Sequence, residues 1–207
     1  MFRNREEAGR ILADELSRYR NDPTALILAL PRGGVAVGYQ LSLALHVPLD
    51  VFITRKIGAP GNPEYAIGAV GETGSHYLNQ EAINSFGLSR HELDRLIHIQ
   101  EKEIARRRDL YRQGRPLPRL TGRTVLLVDD GIATGSTFMA SALAIRSLQP
   151  HRLVGVIPVG PPSTIREVRA HVDELVVLMT PDPFEAVGNF FMDFTQVEDR
   201  DVIQYLN

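Results

Sequence analysis

The sequence predicts an α/β fold built on a mostly parallel, doubly wound sheet. Short apolar runs suited to buried strands alternate with helical stretches from Ala25 to Thr180. The chain has 207 residues, of which 43% are hydrophobic, so it can bury one substantial core. We therefore expect residues 1–207 to form a single domain.

Composition and charge exclude several classes of function. The formal net charge is −2, so bulk electrostatics gives no reason to expect a nucleic-acid or membrane partner. The chain has no cysteine, which excludes disulfides, thiolate catalysis and cysteine-ligated zinc. Its amino terminus is charged by Arg3 and lacks the apolar core of a signal peptide, and no apolar run reaches membrane-spanning length. These features predict a cytoplasmic protein.

Local signals predict the individual elements. Asn4 followed by Glu7 is the pattern of an N-cap with a capping-box partner, and it predicts a helix to about residue 19. Ser89 followed by Glu92 repeats the pattern before a long charged helix that extends to about residue 113. The other predicted elements are strands at 25–30, 51–54, 125–128, 153–159 and 175–180, a hairpin at 67–70 and 76–78, helices at 35–46 and 138–148, a short helix from residue 161, and a carboxyl-terminal helix capped by Thr195 and Glu198.

The most informative stretch runs from Val125 to Thr137. Its first four residues predict a strand buried on both faces, so Asp129 and Asp130 would stand at the carboxyl end of that strand, where open α/β sheets bind ligands. The loop that follows would place hydroxyls and amide groups at a helix N-terminus, which favours a phosphate. Two carboxylates followed by a phosphate cradle suit a sugar phosphate. The loop residues are Gly131, Ala133, Thr134, Gly135, Ser136 and Thr137.

This stretch resembles the phosphoribosyl-diphosphate (PRPP) motif of the type I phosphoribosyltransferases. The resemblance implies that Asp129 and Asp130 hold the ribose hydroxyls and contribute to a Mg²⁺ site, and that residues 131–137 hold the 5′-phosphate. An ordinary buried strand with a glycine-rich turn is the plain alternative. A Walker A loop is excluded because no lysine follows Gly135. A receiver domain is also excluded, since a helix should follow its acids directly.

Two further groups of residues resemble the pyrophosphate site of the same family. Arg32, Gly33 and Gly34 follow the first predicted strand, and an arginine at a glycine turn suits a phosphate-rich group. Arg55 and Lys56 follow the strand predicted at 51–54, at the same sheet edge, and resemble the Arg-Lys pair of adenine and orotate enzymes. Solvated charges and a simple turn are the alternatives in each case.

The segment at about 57–78 is predicted to be a lid. Residues 58–64 contain four glycines or prolines and no periodicity, which predicts a loop. The family places a mobile loop here, and Glu64 within it is a candidate proton-handling group, catalytic together with Arg55 and Lys56. The helical insertion at about 89–115 lies outside the family core. Its arginines alternate with acids, which indicates a solvated face more than a nucleic-acid surface.

The carboxyl-terminal segment at about 180–207 resembles the base-binding hood of 6-oxopurine enzymes. Phe184, Val187 and Asp193 match the base-binding positions, with one extra residue between Phe184 and Val187. Ala133 departs from that subgroup, which has an aspartate there, and agrees with the adenine and orotate enzymes. The resemblance therefore does not choose the base.

Two functions stay open from the sequence. The first is a Mg²⁺-dependent phosphoribosyltransferase of nucleotide salvage that binds PRPP and a nitrogenous base and releases pyrophosphate. The second is a non-catalytic regulator of the same fold that senses PRPP. An intact set of basic residues and a lid favour the enzyme, since a sensor has no need to exclude water. The resemblance leaves a homodimer open.

Overall fold

The computed structural model describes residues 1–63 and 65–207; Glu64, with its predicted proton-handling role, lies outside the described residues. The strands are β1 (Ala25–Ala29), β2 (Leu49–Val51), β3 (Thr54–Ala59), β4 (Asn62–Gly71), β5 (His76–Leu78), β6 (Thr124–Val128), β7 (Arg152–Val159) and β8 (Glu174–Met179). The helices are α1 (Arg5–Glu15), α2 (Gly33–Leu45), α3 (Gln80–Ser85), α4 (Arg90–Arg112), α5 (Ser136–Ser147), α6 (Pro162–Arg169) and α7 (Asp199–Leu206). Short 3₁₀ turns occupy Ser17–Tyr19 and Val187–Phe190.

A five-stranded parallel sheet, in the order β2-β1-β6-β7-β8, forms the centre of the molecule. Every residue of β1 and β6 is buried, because helices cover both faces of the sheet. Ile27 packs in one cluster with Leu12 of α1 and Leu41 of α2, whereas Leu28 packs in another with Phe138 of α5. The doubly wound α/β fold that the sequence predicts is confirmed.

A separate antiparallel sheet of β3, β4 and β5 corrects two predictions. The predicted strand at 51–54 is wrong, because β2 ends at Val51 and β3 begins at Thr54. Phe52 and Ile53 between them are fully buried, so the apolar pattern runs on without marking the break. Arg55 consequently lies inside β3 of the antiparallel sheet and does not follow a strand of the parallel sheet.

The loop predicted at 58–64 is also wrong. The chain there forms a hairpin, in which Ala59 pairs with Asn62 around a two-residue turn of Pro60 and Gly61. The glycines and prolines supply this tight turn and a register shift near Gly58, in place of a long irregular loop. The hairpin predicted at 67–70 and 76–78 is confirmed, since β4 pairs with β5.

Helix capping agrees with the sequence at two of three sites. The Asn4 side chain accepts a hydrogen bond from the Glu7 amide at 2.9 Å, although the Glu7 carboxylate accepts from the amide of Arg3. Both halves of the capping box at Ser89 are present. The N-cap of α7 is Glu198, with Asp201 as its capping-box partner. The prediction that Thr195 caps this helix is therefore wrong. None of the helices in residues 1–63 and 65–207 is long and apolar enough to cross a membrane.

A buried ionic network attaches α4 to the junction of the two sheets. Arg112, in the last turn of α4, is only 1% exposed and forms an ion pair with Glu72. Its guanidinium also donates to Asp50 at 3.0 Å and to the carbonyl of Val51. Glu72 in turn accepts from the amide of Ile53 at 2.8 Å. The sequence interpretation of Arg112 as part of a solvated face is therefore wrong.

We expect Arg112→Gln to destabilise the protein by about 3–5 kcal/mol, because it leaves Glu72 buried without its cation. Denaturant unfolding measures this change. Arg108→Gln is the matched control, since Arg108 lies on the same helix with 48% of its side chain exposed, and it should cost under about 0.5 kcal/mol. Equal stability of the two variants would contradict a structural role for the network.

Candidate active site

The PRPP-like motif forms the end of β6 and the loop that leads into α5. Asp129 and Asp130 directly follow β6, and Gly135 is the N-cap of α5. Between them lies a cavity of about 130 Å³ at the amino end of the helix, where backbone amide groups have no partner within the helix. This geometry suits an anion. The cavity is lined by Asp129, Gly131, Ile132, Ala133, Thr134, Gly135, Ser136, Thr137 and Phe138.

Contacts with α6 and with the carboxyl-terminal segment hold this loop in place. The Thr164 hydroxyl donates to the carbonyl of Ala133 at 2.7 Å. Gly131 has a φ of +150°, and a Cβ there would overlap the side chain of Val187. Glycine is therefore required by both conformation and space. One predicted base-binding residue, Val187, thus packs directly on the predicted ribose-phosphate loop.

The Arg32-Gly33-Gly34 turn, which follows β1 and opens α2, lies against the two aspartates. A Cβ on Gly33 would overlap a carboxylate oxygen of Asp130, so this backbone approaches the acid as closely as glycine permits. The Arg32 side chain lies 3.5 Å from Glu198 and 3.9 Å from Asp199 at the start of α7. The two motifs, which are almost a hundred residues apart in the chain, form one continuous site.

The two aspartates have different surroundings. An Asp130 oxygen accepts from Arg5 Nε at 2.6 Å, which places a cation directly against this carboxylate. An Asp129 oxygen accepts from the backbone amide of Asp130 at 2.9 Å. Burial, and then the negative charge of Asp130, raises the pKa of Asp129 well above its ordinary value. The site therefore contains one carboxylate that is paired with an arginine and one that is costly to ionise.

Arg5 is a site residue that the sequence analysis missed. Besides Asp130, it donates to the carbonyl of Thr195 at 2.9 Å, and its guanidinium carbon lies 3.7 Å from the centre of the Phe194 ring. It thus connects the aspartates with the carboxyl-terminal segment. No local pattern marks Arg5, because its place in the site depends on how α1 packs across the edge of the sheet.

The predicted hood is an ordered segment that the amino terminus holds in place. Phe2 forms a bridge with Phe191, and the Phe184 ring stacks on Phe190 with centroids 5.3 Å apart. The Asp193 carboxylate accepts from both the amide and the hydroxyl of Thr195, and these bonds lower its pKa. Asp193 is therefore held by a local turn, whereas Val187 reaches the motif.

Arg55 and Lys56 lie on β3, where α4 packs on the second sheet. Arg55 Nε donates to Gln100 Oε1 of α4 at 3.2 Å. Burial, followed by the positive charge of Arg107, lowers the pKa of Arg55, and the charge of Arg32 acts in the same direction. Arg55 of β3 and Arg32, which caps the amino end of α2, thus belong to one cationic region. No group of three or more histidine, aspartate or glutamate residues in the described part of the chain could hold a metal on its own.

Two adjacent carboxylates, a loop at the amino end of a helix and an arginine-glycine stretch meet at the carboxyl edge of the doubly wound sheet, as the resemblance to the phosphoribosyltransferases predicts. The chain belongs to the phosphoribosyl transferase domain family, whose model matches residues 3–193. It is an α/β protein of type I phosphoribosyltransferase fold, and the family is one of glycosyltransferase-type enzymes.

Individual relatives agree with this assignment. A Mycobacterium tuberculosis H37Rv protein, whose name assigns it provisionally to the phosphoribosyl transferases, is 38% identical over all 207 residues. The match covers 46% of that protein, so the chain spans about half the length of the curated relatives it matches. The crystal structure of TT1426 from Thermus thermophilus is 39% identical, with a TM-score of 0.83 over 100% of this chain and 97% of that one. The AQ2163 protein of Aquifex aeolicus shares the fold at 14% identity, with a TM-score of 0.55 over 98% of this chain and 84% of that one.

We expect Asp129→Asn to stabilise the folded protein at pH 8. Because the pKa of Asp129 is raised on folding, its stabilising contribution is complete below the unfolded value near 3.9 and is lost as pH rises through the folded value. The gain from the neutral amide should therefore be larger at pH 8 than at pH 5, as measured by thermal unfolding.

Asp173→Asn provides the control of opposite sign. A hydrogen bond from Arg146 lowers the pKa of Asp173, so this variant should lose stability at both pH values. If Asp129→Asn is also less stable than the parent at pH 8, the buried carboxylate is not the unfavourable group that the structure indicates.

Proposed function

We propose that the protein is a catalytic phosphoribosyltransferase that moves 5-phosphoribose from PRPP to a ring nitrogen of a nitrogenous base. The observation that carries this proposal is the packing of the Arg32-Gly33-Gly34 turn against Asp130. It joins a site for a diphosphate to a site for a ribose phosphate, and PRPP contains both groups. A protein that binds only a simple sugar phosphate has no need of a diphosphate site.

Each part of PRPP has partners in the proposed complex. Asp129 and Asp130 accept hydrogen bonds from the ribose hydroxyls, and the amides and hydroxyls of 131–137 hold the 5′-phosphate. Arg32, Arg55 and Lys56, with the amides of the turn, neutralise the pyrophosphate. The residues proposed to bind PRPP are Arg32, Gly33, Gly34, Asp129, Asp130, Gly131, Ala133, Thr134, Gly135, Ser136 and Thr137.

The reaction displaces pyrophosphate from C1 of the ribose. The lone pair of the base nitrogen forms the new bond, and the electrons of the broken C1–O bond leave with the pyrophosphate. Positive charge develops at C1 on the way, and the two nearby carboxylates stabilise it. On sequence grounds alone, Glu64 is the candidate that takes the proton from the base. Closure of the β3–β4 hairpin, the proposed lid, would exclude water.

The donor set fits a Mg²⁺ ion shared with the substrate. Two adjacent carboxylates are available, of which Asp130 is paired with Arg5, while Asp129 has no cation within 4 Å among the described residues. The protein thus supplies few ligands, as Mg²⁺ sites on phosphorylated substrates commonly do. We propose Asp129 and Asp130 as its protein ligands; when bound, the ion would neutralise part of the pyrophosphate charge.

The base site is proposed to be the hood. Phe184 offers an aromatic face whose direction is set by its stacking on Phe190, and a planar heterocycle can stack there. Val187 lies beside the ribose loop, so a base at the hood would be near C1. Asp193 could bind an exocyclic amine. Ala133 supplies no carboxylate to the ring, so we expect purines that need a general base at this position to react poorly.

PRPP with Mg²⁺ should bind and raise the melting temperature. At a hundredfold excess over the dissociation constant, linkage gives about 2.7 kcal/mol of stabilisation. Ribose 5-phosphate, which lacks the pyrophosphate, is the matched ligand and should give a smaller shift. Release of pyrophosphate should then be measured over a panel of free bases. A melt that millimolar PRPP leaves unmoved contradicts the proposed site, whereas binding without turnover on any base supports a PRPP-sensing regulator.

Phe184→Ala should raise the KM for the preferred base about tenfold or more while PRPP binding changes little. A stacking face contributes on the order of 1–3 kcal/mol, and this interaction concerns the base alone. Met192→Ala is the control in the same segment, because Met192 is 74% exposed. An unchanged KM for the base in Phe184→Ala would make the segment a packing element, and the hood proposal would be wrong.

A further inference from the structure

One face of α4 lies along the proposed pyrophosphate region. Gln100, Glu103, Arg107 and Tyr111 are spaced three and four residues apart, so they follow one another along a single side of the helix. At one end of this face Gln100 accepts from Arg55. At the other end the Tyr111 hydroxyl donates to Asp199 at 2.6 Å. The face therefore extends from the arginine of β3 to the start of α7.

Arg107 lies in the middle of this face and is largely buried. Its side chain is 14% exposed, and its Nε donates to Glu103 at 2.8 Å. Its positive charge is, after burial, the strongest influence that lowers the pKa of Arg55. Arg55 and Arg107 thus carry like charges on two elements that pack together, β3 and α4, and their repulsion in a poorly solvated place is unfavourable unless an anion lies between or beside them.

Asp199 connects the same face to the arginine-glycine turn. It lies 3.3 Å from Arg106 and 3.9 Å from Arg32, besides its hydrogen bond from Tyr111. Because Tyr111 follows Arg107 by about one turn, the α4 face that carries Arg107 and the Arg32 side chain approach Asp199 from different elements. Arg106 is 51% exposed and paired with both Glu103 and Asp199, which places it at the rim.

The acids in this region act as the counter-charges of the arginines. Hydrogen bonds from Arg106 and then Arg107 lower the pKa of Glu103 to about 2, so its carboxylate is ionised at neutral pH. Arg55, by contrast, has no carboxylate within 4 Å among the described residues, and its polar partner Gln100 is neutral. A diphosphate entering this region would meet one guanidinium that has no carboxylate within 4 Å among the described residues, and others whose paired acids it could displace.

We propose that Arg107, supplied by the inserted helix at 89–115, binds the diphosphate of the substrate together with Arg32 and Arg55. Glu103 holds the Arg107 side chain in position and competes with the diphosphate for it. The inference rests on the proposed function, in which pyrophosphate is the leaving group. It also gives the inserted helix a role at the site that the family motifs leave unassigned. Because Arg107 touches the leaving group in this proposal, its loss affects binding directly.

Binding of inorganic pyrophosphate with Mg²⁺ to the full chain, measured by calorimetry, tests the proposal. Arg107→Gln should weaken binding on the order of tenfold to a hundredfold, the effect of losing a charge-assisted hydrogen bond. Arg107→Lys keeps the charge without the planar fork and should fall between this variant and the parent. Arg108→Gln, on the neighbouring exposed position, should bind as the parent does.

Glu103→Gln separates a ligand role from a structural one. If Glu103 competes for Arg107, its neutralisation should tighten pyrophosphate binding several-fold. If the Arg107–Glu103 pair only supports the fold, both variants should weaken binding together and lower the melting temperature alike, which would overturn the inference. The effect of Glu103→Gln on pyrophosphate binding distinguishes the ligand role from the structural role even if Arg107→Gln folds poorly.

The outcome also distinguishes this inference from the proposed function. Parent-like pyrophosphate binding by Arg107→Gln would overturn the inference and leave the phosphoribosyltransferase proposal standing. A parent chain that binds neither pyrophosphate nor PRPP would overturn both. PRPP is the second probe, and its binding should show the same order of variants as pyrophosphate does.

Discussion

The parallel pairing of β1 with β6 is the constraint on which the site depends. Ala29 pairs with Val128, so the two strands end at the same level and the loops that follow them must meet. The connection after β1 reaches Arg32 and the two glycines that begin α2, and the connection after β6 begins with two aspartates. The absence of side chains at Gly33 and Gly34 allows the backbones to come together there. A shift of one residue in this register would separate the proposed diphosphate side of the site from the proposed ribose side.

Charge balance follows from this close approach. Placing Asp129 and Asp130 side by side in a partly buried position is unfavourable, which the raised pKa of Asp129 expresses. Arg5, which lies on α1, offsets the charge of Asp130, and the same side chain packs on Phe194. The protein thus stabilises its acids with a residue that also orders the carboxyl-terminal segment. A ligand that brings hydroxyls and a cationic centre would relieve the remaining cost.

In the proposed complex, the second sheet and α4 extend the site away from the parallel core. Arg112 secures the end of α4 against Glu72 and Asp50, at the place where the chain passes from one sheet to the other. That attachment sets the face of the helix carrying Arg107 toward Arg55. Breaking a buried pair of this kind costs far more than losing a surface ion pair. The position of Arg107 thus depends on the ion pairs of Arg112, which lies a little more than one turn further along α4.

Local patterns in the chain were enough to predict the fold class and the PRPP-like motif. Continuous apolar runs predict buried parallel strands, and acids followed by a glycine-rich loop predict a ligand site wherever such a strand ends. The capping box at Ser89 was predicted for the same reason, since all its partners lie within four residues.

The remaining features depend on tertiary contacts. The break between β2 and β3 lies in the buried pair Phe52 and Ile53, where hydrophobicity carries no boundary signal. Arg5, Arg107 and Arg112 look alike in the sequence, as basic residues on charged helices. Their different surroundings come from partners up to 125 residues away, and such long-range contacts leave no mark on the local pattern.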